Sequence, residues 1–155
     1  MKTIFILIVL STALNNSKIK AQEVEPYFGA VLVKNIDTSI EWYKTVLNLK
    51  VENKMESAEG GFRQANLSNG KLLIELIELK NSITLEKLLE NQSGQPMITG
   101  LFKFGFKVSD IETLFNELKM INVKFRGGLV SDIQTGKKMF IILDPDNNYL
   151  QFFEK

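Results

Sequence analysis

The sequence contains no cysteine and no histidine. Without cysteine there is no disulfide, no thiolate nucleophile and no Cys-ligated zinc. Without histidine there is no Ser-His-Asp triad, no imidazole general base and no His-ligated zinc. An excess of one charge is missing too: 19 Lys and Arg stand against 18 Asp and Glu, a formal net charge of +1. The basic stripe of a nucleic-acid binder is not seen, nor the clustered bases of a helix that lies on a membrane surface. What is present is an ordinary globular balance, with 45% hydrophobic and 24% charged residues in a chain of 155. That is enough chain to bury one core, and with no crosslinks stability has to come from it.

The first segment differs from the rest. Met1 and Lys2 lead into the apolar run Ile4-Phe5-Ile6-Leu7-Ile8-Val9-Leu10. Ser11-Thr12-Ala13-Leu14 follow, then a polar stretch ending in Ile19-Lys20-Ala21-Gln22. A basic start, a short apolar core and a small residue before a polar stretch make a secretory signal, expected over residues 1–21. The apolar run of about 11 residues is too short to cross a bilayer, which takes roughly 20. No stable membrane anchor is expected, and no Cys follows for a lipid to modify. The expected location is therefore periplasmic or secreted. Cleavage would remove Lys2, Lys18 and Lys20 but no acid, lowering the formal charge by three.

The remainder repeats itself. Val33-Lys34-Asn35-Ile36-Asp37-Thr38 matches Val108-Ser109-Asp110-Ile111-Glu112-Thr113. Leu47-Asn48-Leu49-Lys50-Val51 matches Ile121-Asn122-Val123-Lys124-Phe125. Leu73-Ile74-Glu75-Leu76-Ile77-Glu78 matches Tyr149-Leu150-Gln151-Phe152-Phe153-Glu154. The order is the same and the offset nearly constant, so single-residue gaps in loops account for the drift.

Each half has one plan. In the first, Phe28 to Val33 reads as a strand. Asp37 is expected to cap a helix running to about Leu47, with Ile40, Tyr43 and Leu47 on one face. Strands are expected at Leu49–Asn53, Phe62–Leu67 and Lys71–Leu79, with Ser68-Asn69-Gly70 as a hairpin turn. In the second, Leu101–Val108 is a strand, and Ser109 and Glu112 have capping-box spacing. Ile111, Leu114, Phe115 and Leu118 form the stripe of a packed helix. Strands follow at Val123–Phe125, Lys138–Leu143 and Tyr149–Phe153, with a turn at Asp144-Pro145-Asp146-Asn147-Asn148. The expected division is module one over 26–80, a linker over 81–99 and module two over 100–155. The linker holds a short helix at about Thr84–Glu90 and a turn at Ser93-Gly94-Gln95-Pro96. Phe102, Phe104 and Phe106 are expected under the second helix, and Gly127-Gly128 is a loop, lacking the Lys-Ser/Thr of a phosphate-binding loop.

Three segments carry a likeness. They are Ala30-Val31-Leu32-Val33-Lys34-Asn35-Ile36-Asp37 with Trp42-Tyr43 and Leu47-Asn48-Leu49, then Leu73-Ile74-Glu75-Leu76, then Asp144-Pro145-Asp146-Asn147-Asn148-Tyr149-Leu150-Gln151. With them the chain resembles the vicinal-oxygen-chelate superfamily of glyoxalases, bleomycin-resistance proteins and dioxygenases. The resemblance implies an α+β fold in which two paired βαβββ modules form curved sheets around a cleft. Family enzymes hold a divalent metal with His, Glu, His and Glu, and the resemblance puts these positions on Phe28, Glu75, Lys103 and Gln151. Only Glu75 is a strong ligand, so no metal and no other cofactor is expected here.

An ion pair between Lys103 and Glu75 is expected where the metal would sit, since either charge left alone in a cleft costs several kcal/mol. Gln64 and Asn66 share one strand face and either line the cleft or face water on an edge strand; Arg63 is opposite and expected at the surface. Phe28, Gln64, Asn66, Glu75, Lys103 and Gln151 are thus the candidate ligand-binding residues, with no catalytic residue assigned. Whether they form a satisfied polar spot, a recognition site or a catalytic one stays open. The leading expectation is a non-catalytic small-molecule-binding protein, a homodimer as the resemblance implies. The alternatives are a metal-dependent lyase, isomerase or dioxygenase with an altered site, and an interaction module with a filled cleft.

Overall fold

The computed structural model describes residues 25–91 and 99–155. The expected signal at 1–21 and the turn at Ser93–Pro96 lie outside the described residues. The first half runs β1 (Gly29–Leu32), α1 (Ile36–Leu47), β2 (Lys50–Ser57), β3 (Phe62–Ser68) and β4 (Leu73–Leu79). A short helix, α2 (Leu85–Leu89), follows. The second half runs β5 (Lys103–Val108), α3 (Ile111–Met120), β6 (Lys124–Phe125), β7 (Val130–Ser131), β8 (Lys138–Leu143) and β9 (Tyr149–Glu154). The first sheet has the order β1-β4-β3-β2 and the second β5-β9-β8-β6, with β7 also paired to β8. β1 with β4 and β5 with β9 are the parallel pairs; the other pairs are antiparallel. This is an α+β fold of two like modules.

Strand alternation decides which face is covered. In the first sheet Ala65, Leu67, Ile74 and Leu76 are buried, and α1 presents Ile36, Ile40, Tyr43 and Val46 to them. In the second sheet Phe140, Ile142, Leu150 and Phe152 are buried beneath Ile111 and Leu118 of α3. Each buried Val, Leu, Ile or Phe among them contributes about 1.5–3 kcal/mol on leaving water. Phe140 anchors an aromatic cluster, stacked on Phe152 at 5.1 Å between centroids and edge-on to Phe115 at 5.3 Å.

The two sheets approach along their edge strands β1 and β5. A methyl group added at Gly29 would lie 2.9 Å from Cε1 of Phe104, so the backbone passes close to that ring. Away from this seam the modules are tied by Tyr43, whose hydroxyl donates to Oδ2 of Asp144 at 2.9 Å.

Several local expectations are corrected. The N-cap of α1 is Asn35, not Asp37: its side chain accepts from Thr38 N at 2.9 Å. Oε2 of Glu78 takes the amide of Ile36 at 2.7 Å, so a contact from β4 helps to set where the helix begins. Asp37 instead receives both hydrogen bonds from Nη2 of Arg63. Arg63 is accordingly half-buried and engaged on the helix-covered side, also 3.4 Å from Glu78. The N-cap of α3 is Asp110 rather than Ser109, accepting from Thr113 N at 3.0 Å. Glu112 is diverted from a capping box by Lys138 of β8. Phe102 is exposed and precedes β5 rather than joining the core with Phe104 and Phe106. The second strand extends to Ser57, and β7 is an element the sequence pattern does not predict.

Candidate functional site

The helices cover one face of each sheet, and the expected site residues lie on the other. In the first sheet, Asn66 stands directly opposite Glu75, which in turn pairs with Ala30 of β1. Cross-strand partners share a face, so Asn53, Asn66 and Glu75 form one row, with Met55, Gln64 and Ile77 in the next. Gln64 of the second row ties Glu75 to the amides of the first. Gln64 Nε2 donates to Oε1 of Glu75 and lies 3.5 Å from Oδ1 of Asn66; Asn66 Nδ2 donates to Oδ1 of Asn53 at 3.1 Å. β3 is an inner strand, flanked by β2 and β4, so Gln64 and Asn66 are not on a solvent edge. Both are half-buried, as is Glu75.

In the second sheet, Gln151 stands between Gly105 of β5 and Ile141 of β8. It is only 3% exposed. Its Nε2 lies 3.0 Å from Sδ of Met139, a weak acceptor, and its Oε1 has no partner among the described residues. Lys103, across from Tyr149, is exposed, with Nζ 5.7 Å from the ring centroid of Phe102. Phe102 meets Tyr149 edge-on at 5.6 Å, and the guanidinium of Arg126 lies over the Tyr149 ring at 4.5 Å. Phe28 precedes β1, half-exposed and edge-on to Tyr27 at 5.5 Å.

The expected ion pair of Lys103 with Glu75 is not formed. Glu75 is held by Gln64 from the neighbouring strand, one residue pair away, whereas Lys103 belongs to the other sheet and lies against Phe102. The structure thus gathers Gln64, Asn66 and Glu75 into one cluster and leaves Lys103 and Gln151 in a second. Asn53, Gly105, Arg126, Met139 and Tyr149 complete these clusters and were not read from the sequence. Two of them had a signal: the repeat that pairs Phe28 with Lys103 also pairs Ala30 with Gly105 and Gln64 with Met139.

The donor set does not fit a divalent metal. Of Phe28, Glu75, Lys103 and Gln151, one is a carboxylate, one a neutral amide, one a cation and one a hydrocarbon ring, where three or four good ligands are required. Among the described residues no other group of three or more His, Cys, Asp or Glu side chains gathers to replace it.

Two larger hollows lie elsewhere. One, of about 640 Å³, is bounded by Lys34, Glu78, Lys80, Thr84 and Glu86; the other, of about 680 Å³, by Trp42, Thr45, Ile121, Lys124 and Pro145. The second adjoins the joint between modules. There Asp144 is buried and accepts from Tyr43 Oη, Asn148 Nδ2 and the amides of Asp146 and Asn148, at 2.8–2.9 Å. Burial, and then the charge of Asp144, push the Tyr43 hydroxyl far above its ordinary pKa, so it remains a donor. Asp146 accepts from Lys34 N at 3.2 Å and is itself raised, chiefly by burial. These groups join modules; none faces the two clusters on the open strands.

Known proteins share this architecture. A glyoxalase family protein from Enterococcus faecalis superposes with a TM-score of 0.71 at 24% identity, over 84% of this chain and 97% of that one. The glyoxylase/bleomycin resistance protein/dioxygenase domain from Frankia sp. EAN1pec gives 0.68 at 19% identity, over 86% and 98%. The uncharacterized protein YwbC of Bacillus subtilis (strain 168) is 22% identical over 125 residues, 81% of this chain and 93% of its own. Residues 27–152 match a family as a whole, and by that match the chain belongs to the Glyoxalase/Bleomycin resistance protein/Dioxygenase superfamily.

Proposed function

We propose that the protein binds a small molecule on the open strand faces, in the manner of a bleomycin-resistance protein, without the metal that family enzymes use. One observation carries this reading: the single carboxylate among the four ligand positions, Glu75, is already held by the amide of Gln64 within a row of amides. An arrangement of amides, one carboxylate, lysines and aromatic rings suits recognition of a polar organic ligand. Exposed Phe28, Leu32, Met55 and Phe102 are suited to being covered by a ligand or a second copy. Homodimer assembly and export to a periplasmic or secreted location belong to the same proposal.

Native mass spectrometry of the protein taken from its own host, with metal analysis of the same sample, tests it. The expected result is a small-molecule adduct without stoichiometric metal, on a dimer. A divalent ion at one per chain, lost in Glu75→Gln, would overturn the reading and favour a metal-dependent lyase, isomerase or dioxygenase.

A further inference from the structure

We propose that the outer edge of the first sheet docks a second copy of this chain, paired antiparallel along Asn53–Ser57 of β2 about a two-fold axis at Met55. This rests on the homodimer of the reading above and names its interface.

The edge is long and open. β2 is the outer strand of its sheet and runs for eight residues, all of them exposed but Val51. It pairs with β3 on one side, and among the described residues no strand pairs with it on the other. That side presents a row of amides and carbonyls of the kind that accepts another strand. Edge strands are guarded against such pairing by proline, a bulge or charge. β2 has no proline. Its register breaks between Val51 and Asn53, which leaves Asn53 to Ser57 regular. Its guard is therefore charge, and the charges are of both signs.

The order of those charges selects a register. Lys54 and Glu56 stand opposite Ala65 and Arg63, on the helix-covered side, whereas Asn53, Met55 and Ser57 stand opposite Asn66, Gln64 and Phe62, on the open side. A two-fold axis normal to the sheet keeps each side with its like, so one residue must face its own copy. Centring on Lys54 or on Glu56 sets a charge against itself, and like charges directly opposite destabilise a sheet. Centring on Asn53 carries the pairing across the break in register, and centring on Ser57 runs off the end of the strand. Centring on Met55 sets Lys54 against the partner's Glu56 and Glu56 against the partner's Lys54. Neither side chain is in a salt bridge among the described residues, so both are free to pair across the edge. Met55, 60% exposed, gains an apolar cover in the partner's Met55. The two four-stranded sheets then become one, with both copies of α1 on the same side and the two open faces joined.

Sedimentation velocity of the purified protein over a range of concentrations measures the association. Lys54→Glu and Glu56→Lys, each alone, set like charges opposite one another and are expected to raise the dimer dissociation constant at least about tenfold. Both together in one chain restore opposite charges and are expected to return it to within about threefold of the original. The chain has no cysteine, so Met55→Cys supplies a single thiol that meets its own copy at cross-strand distance. Mild oxidation is expected to link that variant into a dimer but not Ile133→Cys, whose thiol would be fully exposed in the second module.

A dimer indifferent to the single reversals, or a double variant no better than the singles, would overturn this interface and leave a homodimer formed by another surface. Equal linking of the two cysteine variants would do the same. If a reversal alters the circular-dichroism spectrum, the cysteine pair decides. A chain monomeric at every concentration would overturn the dimer as well, leaving the small-molecule reading to the adduct and metal measurements above.

Discussion

The two modules place the same geometry around different chemistry. In the first, Glu75 stands opposite Asn66, and Gln64, two residues back along β3, reaches across to it. In the second, Gln151 stands opposite Ile141, and Met139, two residues back along β8, reaches across to it. Gln64 brings an N–H donor that fills the carboxylate. Met139 brings only a thioether and no donor for Oε1 of Gln151, which is buried without a partner among the described residues. The first cluster is thereby hydrogen-bonded within itself, and the second less completely so. The two arms thus differ at three corresponding positions, Asn66 against Ile141, Glu75 against Gln151 and Gln64 against Met139, and these exchanges give the first arm a polar ladder and the second an apolar surround for its amide.

The joint between the modules breaks the symmetry most strongly. Tyr43 of the first module donates to Asp144 of the second, whereas the repeat puts Leu118 in place of Tyr43 and Ser68 in place of Asp144. Asp144→Ala would strip acceptors from the Tyr43 hydroxyl, the Asn148 side chain and two backbone amides. A loss of about 3–5 kcal/mol is expected in urea unfolding, from buried donors left unmade. Tyr43→Phe leaves Asp144 its other three donors and is expected to lose about 1–2 kcal/mol. If Asp144→Ala lost less than Tyr43→Phe, the joint would not be what holds the modules together.

The inner-strand exchange is tested by swapping it. Met139→Gln offers Gln151 a donor and is expected to stabilise by about 1 kcal/mol; Gln64→Met takes the donor from Glu75 and is expected to destabilise by about 1–2 kcal/mol. Chemical denaturation of both variants decides, and effects of the same sign would end the comparison between the two faces.

The smallest effect sits in the turn after β8. Burial first, and the like charges of Asp144 and Glu86 after it, raise the pKa of Asp146, against which Lys34 N works in the other direction. A raised carboxyl pKa means that the folded state binds its proton more tightly than the unfolded chain does. Its favourable contribution is therefore complete below the unfolded value near 3.8 and disappears as pH rises through the folded value. Asp146→Asn keeps an acceptor for Lys34 and removes the charge. It is expected to be the more stable protein at neutral pH by less than about 1 kcal/mol, after discounting for solvent screening. The advantage should vanish below about pH 4, and a constant difference across that range would mean the carboxyl charge is not its source.

Much of this architecture was legible in the sequence. The stripe of Ile111, Leu114 and Leu118, the turn at Ser68–Gly70 and the strand around Glu75 depend on local pattern, and they stand where the sequence puts them. Helix caps were missed by one or two residues, because groups far along the chain compete for them. Glu78 takes the amide of Ile36, Arg63 takes Asp37 and Lys138 takes Glu112. Of the candidate site, that Gln64 and Asn66 share one strand face could be read, but not whether that face lines a cleft or an edge, nor the partner of any one residue.

By itself the sequence determined which chemical groups occupy the four family positions, since residue type and repeat spacing are properties of the chain. It determined too that two similar modules would form, because hydrophobic period selects strand and helix before any long-range contact exists. Tertiary structure alone decided that Glu75 pairs with Gln64 rather than Lys103, and that Gln151 is buried with its amide against Met139. Hydrogen bonds extend only about 3 Å, so cross-strand register and the seam between sheets determine which groups come within reach.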